Sequence, residues 1–195
     1  AILFTLKQAL GEASHDTCKK LLADPSMREM ALKALTDRKT QMTSVTPELI
    51  APYLKDADPK VRLQAFISLR RLNKFSTSAS NALIDAAVQS WKVDSVGKLG
   101  TMALPHLASR TLAGLGQNHP QAWKHYLERF KSGDYKTQKT LSYALKTIHD
   151  PTLIELMIAE LSNDQYNDAS RLLVLDILAR LSHKEAEWDL DAWWG

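Results

Sequence analysis

The feature that most constrains this chain is a helical pattern that recurs along its length. Its clearest copy spans residues 58–72, where one face of the helix carries Val61, Ala65, Leu69 and Leu72. We take Ala65 as the central residue of this frame, which has Asp seven positions earlier, Arg three earlier and Leu four later. Full or partial copies centre on Ala31, Ala103, Leu141 and Val174. The spacings between central residues, 34, 38, 38 and 33, predict a fold in which one supersecondary unit is stacked repeatedly.

Each central residue lies in a predicted helix that has a candidate partner helix just before it. Two partners begin with a capping residue and a proline, at Thr46-Pro47 and Asp150-Pro151, which is a typical helix start. The chain has only seven Gly and seven Pro, which argues against a loop-rich β fold. We therefore predict an all-α domain over residues 1–184, with a partial first repeat at 1–12. The predicted partner helices cover residues 15–23, 46–55, 80–91, 120–131 and 151–161.

This pairing resembles the HEAT-repeat family, and the Asp-Pro, Val-Arg and Ala-xxx-Leu elements of residues 58–72 carry the resemblance. The match covers residues 15–182 and is weakest at 96–116. It implies a right-handed superhelical α-solenoid of about five HEAT-like helix pairs, whose second helices line the concave face. In that family an Arg typically pairs with the Asp of the preceding repeat, which implies that Arg62 bridges to Asp24. Near Pro105 we expect a kink or a break, because an interior proline costs a helix about 3 kcal/mol.

Residues that commonly carry chemistry do not form a recognisable set in this sequence. The single cysteine, Cys18, excludes an internal disulfide and a cysteine-based zinc site, and no two of the six histidines are spaced i, i+4. His149-Asp150 resembles the His-Asp pair of helical metal-dependent phosphohydrolases, but Asp150 precedes a proline and fits a helix cap better. We therefore predict a non-enzymatic segment without catalytic residues, metal or cofactor, whose parent protein can carry an enzymatic domain elsewhere. No apolar run is long enough to span a membrane.

Basic residues on and around the predicted second helices form the candidate binding surface. They are Arg28, Arg62, Arg70, Arg71, Lys74, Lys139 and Arg171. Arg62 also belongs to the repeat frame, whereas the cluster of Arg70, Arg71 and Lys74 does not recur and is expected to be available for function. We predict a module for protein–protein interaction or for spacing domains, whose partner is another protein or a neighbouring domain of the same chain.

The alternative function is DNA-glycosylase-like nucleic-acid binding in a basic concave groove, since a family of helical-repeat DNA glycosylases binds DNA in such a groove with Trp and Asp at the lesion. On that analogy, Trp91, Trp123 and Asp94 are the candidates for this place. However, the net charge is only +3 and the isoelectric point is near 8.9, below the usual value for a DNA-binding domain of this kind. Protein is therefore the preferred partner class.

The C-terminal residues 185–195 form a tryptophan-rich tail that contains Trp188, Trp193 and Trp194. So much apolar area needs cover, so we expect the tail to dock on the last repeat or to begin a junction to a missing domain. The Trp-Trp-Gly ending resembles the HEAT segment of large exported planctomycete-type proteins that also contain a dehydrogenase-like domain and a cytochrome c. This resemblance implies a segment of a multidomain protein outside the cytoplasm, in the periplasm or secreted; without it, we expect a cytoplasmic protein.

Overall fold

The computed structural model describes residues 12–37, 42–90 and 103–182, and all regular structure in these ranges is helical. This confirms the predicted all-α fold. A 3-10 segment, Ala51–Lys55, continues the third helix. The ten α-helices of these ranges are α1 (Glu12–Leu21), α2 (Arg28–Leu35), α3 (Pro47–Ile50), α4 (Pro59–Leu72), α5 (Thr77–Ser90), α6 (Ala103–Asn118), α7 (Pro120–Ser132), α8 (Tyr135–Leu145), α9 (Pro151–Glu160) and α10 (Asp168–Ser182).

Consecutive helices pack as five pairs, in which α3 and its 3-10 continuation together form one partner helix. The second members of the pairs, α2, α4, α6, α8 and α10, pack on one another in chain order, and we call them the second-helix row. The first members, α1, α3 with its 3-10 continuation, α5, α7 and α9, form the first-helix row. The predicted helical repeat is therefore confirmed, while its right-handed superhelical twist stays a prediction. The predicted opening repeat at 1–12 lies almost wholly outside the described residues.

Aspartate side chains start three of the helices in the way that the sequence predicts. Asp58 accepts a hydrogen bond from the backbone N–H of Lys60 at 2.8 Å, and Asp150 accepts one from that of Thr152 at 2.8 Å. Asp134 does the same for α8. Each bond satisfies one of the N–H groups that a helix start leaves without a partner. The interpretation of Asp150 as a cap is thus confirmed.

The central residues of four pairs lie in the core, because each places a small or branched side chain between packed helices. Ala31, Ala65, Leu141 and Val174 are all fully buried. Spacing alone therefore located the buried centre of these helices correctly.

The frame predicted for the third pair, around Ala103 and Leu107, is wrong by five residues. Leu107 is only half-buried, whereas Ala108 and Leu112 are fully buried and reproduce the Ala-xxx-Leu spacing. With Ala108 as the central residue, the spacings become 34, 43, 33 and 33. The additional residues fall between α5 and α6, at 91–102, which lie outside the described residues.

The kink or break predicted near Pro105 does not occur within α6. This helix begins at Ala103, so Pro105 lies in its first turn, where the backbone nitrogen has no acceptor within the helix. The helix then continues without interruption to Asn118. The proline cost applies to helix interiors, whereas Pro105 lies in the first turn of α6 as the structure describes it.

Buried hydroxyl groups fix the register between neighbouring members of the second-helix row. The hydroxyl oxygens of Thr36 on the end of α2 and Ser68 on α4 are 2.9 Å apart. Ser170 on α10 donates a hydrogen bond to the side-chain oxygen of Gln138 on α8 at 2.6 Å. Sliding one helix along the other would leave these buried polar groups without partners, at a cost of about 1–3 kcal/mol for each group.

Candidate functional site

Charge is distributed unequally between the two rows of helices. The helices of the second-helix row contain eleven Lys and Arg residues against three Asp and Glu residues, a formal charge of +8. The first-helix row contains six basic and seven acidic residues, a formal charge of −1. The net charge of +3 for the whole chain hides this difference. The candidate surface therefore belongs to the second-helix row. A basic side chain on this row can bind a partner only if contacts within the protein do not already occupy it.

Three of the predicted arginines occupy one position, three residues before the central residue, and all three turn back toward the preceding inter-helix turn. Arg62 donates to the carbonyl oxygens of Asp56 at 2.7 Å and Ala57 at 2.9 Å. The carbonyls of Leu22 and Asn163 accept from the other two, Arg28 at 3.1 Å and Arg171 at 3.5 Å. A guanidinium here satisfies carbonyls that the end of a first helix leaves without partners. These arginines contribute to the architecture of the repeat.

The same position in the fourth pair supports this structural role. In α8 it is occupied by Gln138, whose amide donates to the carbonyl of Phe130 at 3.3 Å. In α6, counted from Ala108, it is occupied by Pro105, whose side chain has no donor, so the third pair lacks this bond. Four of the five pairs therefore place a backward-reaching donor here, and the neutral Gln138 shows that the donor need not be charged.

The predicted ion pair between Arg62 and Asp24 is wrong in both partners. A short ion pair between the first two repeats instead joins Arg28 Nη1 to Asp56 Oδ2 at 2.9 Å, and Arg28 also lies over the ring of Tyr53, 5.9 Å from its centroid. Asp24 instead accepts from the backbone and the hydroxyl of Ser26. The repeat frame identified the position but not the partner, because a long side chain can reach either the preceding turn or the following one.

The sequence analysis expected Lys74 to be available for a partner, but backbone carbonyl groups hold its ammonium in place. Its ammonium group donates to three carbonyl oxygens, those of Met42, Thr43 and Val45, each at 2.9 Å. These bonds use all three donors of the ammonium and tie the end of α4 to the loop before α3. Lys74 is thus a structural lysine.

The remaining three predicted basic residues, Arg70, Arg71 and Lys139, are exposed at the surface of α4 and α8. Arg71 is 3.5 Å from a carboxylate oxygen of Asp37, at the end of the preceding second helix. Neither the side chain of Arg70 nor that of Lys139 has a hydrogen-bond or ion-pair partner within the described ranges. These two side chains are the part of the predicted set that remains directed at solvent.

One exposed arginine, Arg110 on α6, was missed by the sequence analysis. With Ala108 as the central residue, Arg110 occupies the position of Lys33 on α2 and Tyr143 on α8, so it extends the basic surface between α4 and α8. Tyr143 in turn supports the ammonium of Lys146, which lies 4.6 Å from the ring centroid and 3.4 Å from Asp176. With the frame centred on Ala108, the sequence alone would have placed Arg110 on the basic surface of the second-helix row.

The residues considered for other chemistry do not come together. Trp123, expected near a bound base, is buried in the core, while Trp91 and Asp94 lie outside the described residues. His149 and Asp150 line a cavity of about 160 Å³, but the described residues contain no group of three His, Cys, Asp or Glu placed to bind a metal. Burial raises the pKa of the Cys18 thiol, which opposes formation of a thiolate nucleophile.

The tail and the possibility of a membrane span were the remaining subjects of prediction. The tail residues Trp188, Trp193 and Trp194, and the domain boundary after residue 184, lie outside the described residues. Within them, no helix is both long and apolar enough to cross a membrane, as the sequence predicts.

Comparison with known proteins supports the fold alone. No protein-family model matches the sequence, and no curated protein matches it. One solved structure, the crystal structure of an engineered protein from a structural genomics consortium, is 16% identical and aligns with a TM-score of 0.50, covering 92% of this chain and 84% of its own. A second engineered protein from the same source is 17% identical with a TM-score of 0.47, covering 87% of this chain and 48% of its own.

Proposed function

We propose that this chain is a non-enzymatic, HEAT-like binding module that holds an acidic protein segment on the surface of its second-helix row. The observation that carries this proposal is the formal charge of +8 on that row, combined with the exposure of Arg70 and Lys139. Support for the HEAT-like assignment comes from the five helix pairs, the Asp caps and the recurring backward-reaching arginines.

The spacing of the exposed basic side chains suits an extended peptide. Packed helices lie about 8–10 Å apart, so α4 and α8, with α6 between them, are separated by roughly 20 Å. An extended chain covers that distance in about six residues. An acidic segment crossing the row would therefore meet Arg70, Arg110 and Lys139 in turn, and the planar guanidinium groups can each bind a carboxylate through two hydrogen bonds.

An acidic protein segment fits this surface better than a nucleic acid. Proteins that bind single strands combine basic grooves with exposed aromatic rings on which bases stack. On the described helices of this row, Phe66 is buried, Tyr143 is half-buried and carries the ammonium of Lys146, and Tyr135, four residues before Lys139 on α8, is 46% exposed. The described surface therefore offers several carboxylate-binding groups but a single well-exposed ring, whereas strand binding uses successive rings.

The test is a binding titration, by fluorescence anisotropy, with a labelled Glu-rich peptide of about 15 residues, the matching Gln peptide and a single-stranded oligonucleotide. The double substitution Arg70→Glu and Lys139→Glu is expected to weaken binding of the acidic peptide at least tenfold. A matched control, Lys20→Glu with Lys55→Glu, makes the same charge change on exposed residues of the first-helix row and is expected to change binding less than twofold.

Two results would overturn the proposal. Equal weakening by both double variants would show that only net charge matters. Tighter binding of the oligonucleotide than of the Glu-rich peptide, lost in the Arg70/Lys139 variant, would establish the nucleic-acid alternative. The titrations are run at several salt concentrations, because phosphate contacts produce a steep salt dependence.

We also propose that the acidic partner is either a separate protein or a neighbouring domain of a longer parent chain. The Trp-Trp-Gly ending supports the second version through its resemblance to exported multidomain proteins with a dehydrogenase-like domain. The sequence of the full parent gene would test this directly, and a parent without an acidic domain or linker would leave only a separate partner.

A further inference from the structure

Two exposed apolar side chains border the basic surface where it passes from α8 to α10. Leu172 on α10 is 64% exposed, and Tyr135 on α8 is 46% exposed. Leu172 stands two residues before the central Val174, which is the position that the exposed Lys139 occupies on α8. It therefore faces solvent on the same side of the second-helix row as the basic residues. We call Tyr135 and Leu172 the apolar site.

The apolar site and Lys139 lie close together. Ser170 on α10 donates a hydrogen bond to Gln138 on α8, which fixes the register of these two helices. In this register Leu172 lies beside Lys139, and Tyr135 lies one turn earlier on α8. Packed helices are about 8–10 Å apart and one turn is about 5.4 Å long, so the Cα atoms of Tyr135 and Leu172 are about 11 Å apart. One apolar side chain of a partner can therefore contact both.

Leu172 departs from the pattern of the earlier second helices. On α2, α6 and α8 the equivalent residues are Glu29, His106 and Lys139, which are polar and exposed. On α4 the equivalent residue is Leu63, which is half-buried against the core. Packing within the described structure therefore does not account for a leucine that remains mostly in water at this position, whereas a partner that covers it would remove apolar surface from water.

The charge of the row also changes between α8 and α10. The helices α4, α6 and α8 contain seven Lys and Arg residues and no Asp or Glu, a formal charge of +7. The helix α10 contains two arginines and two aspartates, a formal charge of zero. One of these aspartates, Asp168, is 99% exposed at the start of α10. An acidic segment therefore gains from each helix as far as α8, and α10 favours an uncharged, apolar residue.

We propose that the acidic segment bound by the second-helix row carries a leucine-like side chain beside its acidic run, and that this side chain docks on the apolar site. The proposal rests on the proposed function and specifies the partner further. The acids would pair with Arg70, Arg110 and Lys139, and about three extended residues would then cross the roughly 10 Å from α8 to α10. Carboxylates in a run are interchangeable, so the apolar residue fixes the register that charge alone leaves free.

The test is a fluorescence-anisotropy titration of the full chain with two labelled peptides. In the first, about six glutamates, enough to cross from α4 to α8, are flanked at each end by a leucine about three residues away. In the second, alanine replaces both leucines. The leucine peptide is expected to bind about tenfold more tightly, because its side chain is removed from water. Leu172→Ala should abolish this difference and change the affinity for the alanine peptide less than about twofold.

Ile158→Ala is the matched control. Ile158 lies on α9 of the first-helix row and is 54% exposed, so its replacement removes a similar apolar surface from another part of the protein. This variant is expected to retain the full difference between the two peptides. Tyr135→Ala, which removes the other half of the apolar site, is expected to reduce the difference.

Equal binding of the two peptides, or a difference that survives Leu172→Ala, would overturn the proposal. If the Arg70→Glu and Lys139→Glu double variant still weakens both peptides in that case, the proposed function stands and only the docking of an apolar residue fails. If neither peptide binds, both proposals fail. Sedimentation velocity tests a competing occupant, since a dimer that Leu172→Ala dissociates would show that a second copy of the chain covers the apolar site instead.

Discussion

The substitution Arg28→Ala tests how the first two repeats are held together. It removes the 2.9 Å ion pair with Asp56, the 3.1 Å hydrogen bond to the carbonyl of Leu22 and the contact with the ring of Tyr53. The side chain of Asp56 is only 8% exposed, so its carboxylate would remain in a poorly hydrated place without its cation. Removing one partner of a buried pair costs about 3–5 kcal/mol, whereas exposed pairs contribute about 0–1 kcal/mol.

Because Arg28 itself is 28% exposed, water partly screens this pair and the expected loss lies between those limits. We expect the free energy of unfolding to fall by about 2–3 kcal/mol, which for a chain of this length lowers the melting temperature by roughly 5–10 °C. The assay is urea unfolding followed by circular dichroism, applied to Arg28→Ala, Asp56→Ala and the double variant. The cycle should give a coupling energy of about 1–2 kcal/mol.

Arg70→Ala serves as the matched control, because it removes an exposed arginine from the same row of helices. It should change the free energy of unfolding by less than about 0.5 kcal/mol. A coupling energy near zero in the cycle would show that Arg28 and Asp56 act independently. If Arg70→Ala cost as much as Arg28→Ala, the assignment of inward and outward arginines would be refuted.

Three further predictions concern α6, the loop before α3 and the last two repeats. Gly114→Ala should stabilise the protein by about 0.5–1 kcal/mol in thermal unfolding, because a Cβ at this position meets open space. Gly116→Ala should give no such stabilisation, because its Cβ would clash with the packed side chains of Ile148 and Tyr126. Lys74→Met should destabilise by about 2 kcal/mol and speed amide exchange in residues 42–45, which lose their shared donor. Burial alone would raise the pKa of Glu160, but hydrogen bonds from Lys131 and Asn163 hold it below its usual value. The ionised Glu160 carboxylate therefore contributes its full stabilisation above the usual glutamate pKa of about 4.3, and this stabilisation is lost as the pH falls through the lowered pKa. Lys131→Met should make the urea unfolding midpoint depend less steeply on pH in this acid range.

Much of the fold was predictable because local signals and the repeat pattern agreed with each other. Cap-and-proline pairs such as Asp58-Pro59 and Asp150-Pro151 act within a few residues, so they mark helix starts whatever the tertiary context. The predicted partner helix at 120–131 corresponds to α7, which the structure ends one residue later at Ser132. Where the period and the caps coincide, the sequence is sufficient to locate a helix and its buried face.

The third pair failed for a physical reason. Residues 91–102 lengthen the interval between α5 and α6, and a frame chosen to keep the spacings nearly regular therefore centred on Ala103 instead of Ala108. The burial of Ala108 and Leu112 identifies the correct frame, and burial depends on helices that are distant in sequence. The same limit applied to Lys74, whose carbonyl partners lie 29 to 32 residues earlier and leave no local pattern.

The repeat also explains which basic residues are informative about a partner. A side chain that recurs at one position of the frame, as Arg28, Arg62 and Arg171 do in three of the five pairs, meets the equivalent turn in each of those pairs and is constrained by that turn. Such residues would be required whether or not a ligand existed. Arg70 and Lys139 have no such constraint, since neither contacts a turn or a carboxylate within the described structure. Specificity for a partner must therefore arise from residues that break the repeat, and the decisive comparison is between substitutions at recurring positions and substitutions at non-recurring ones.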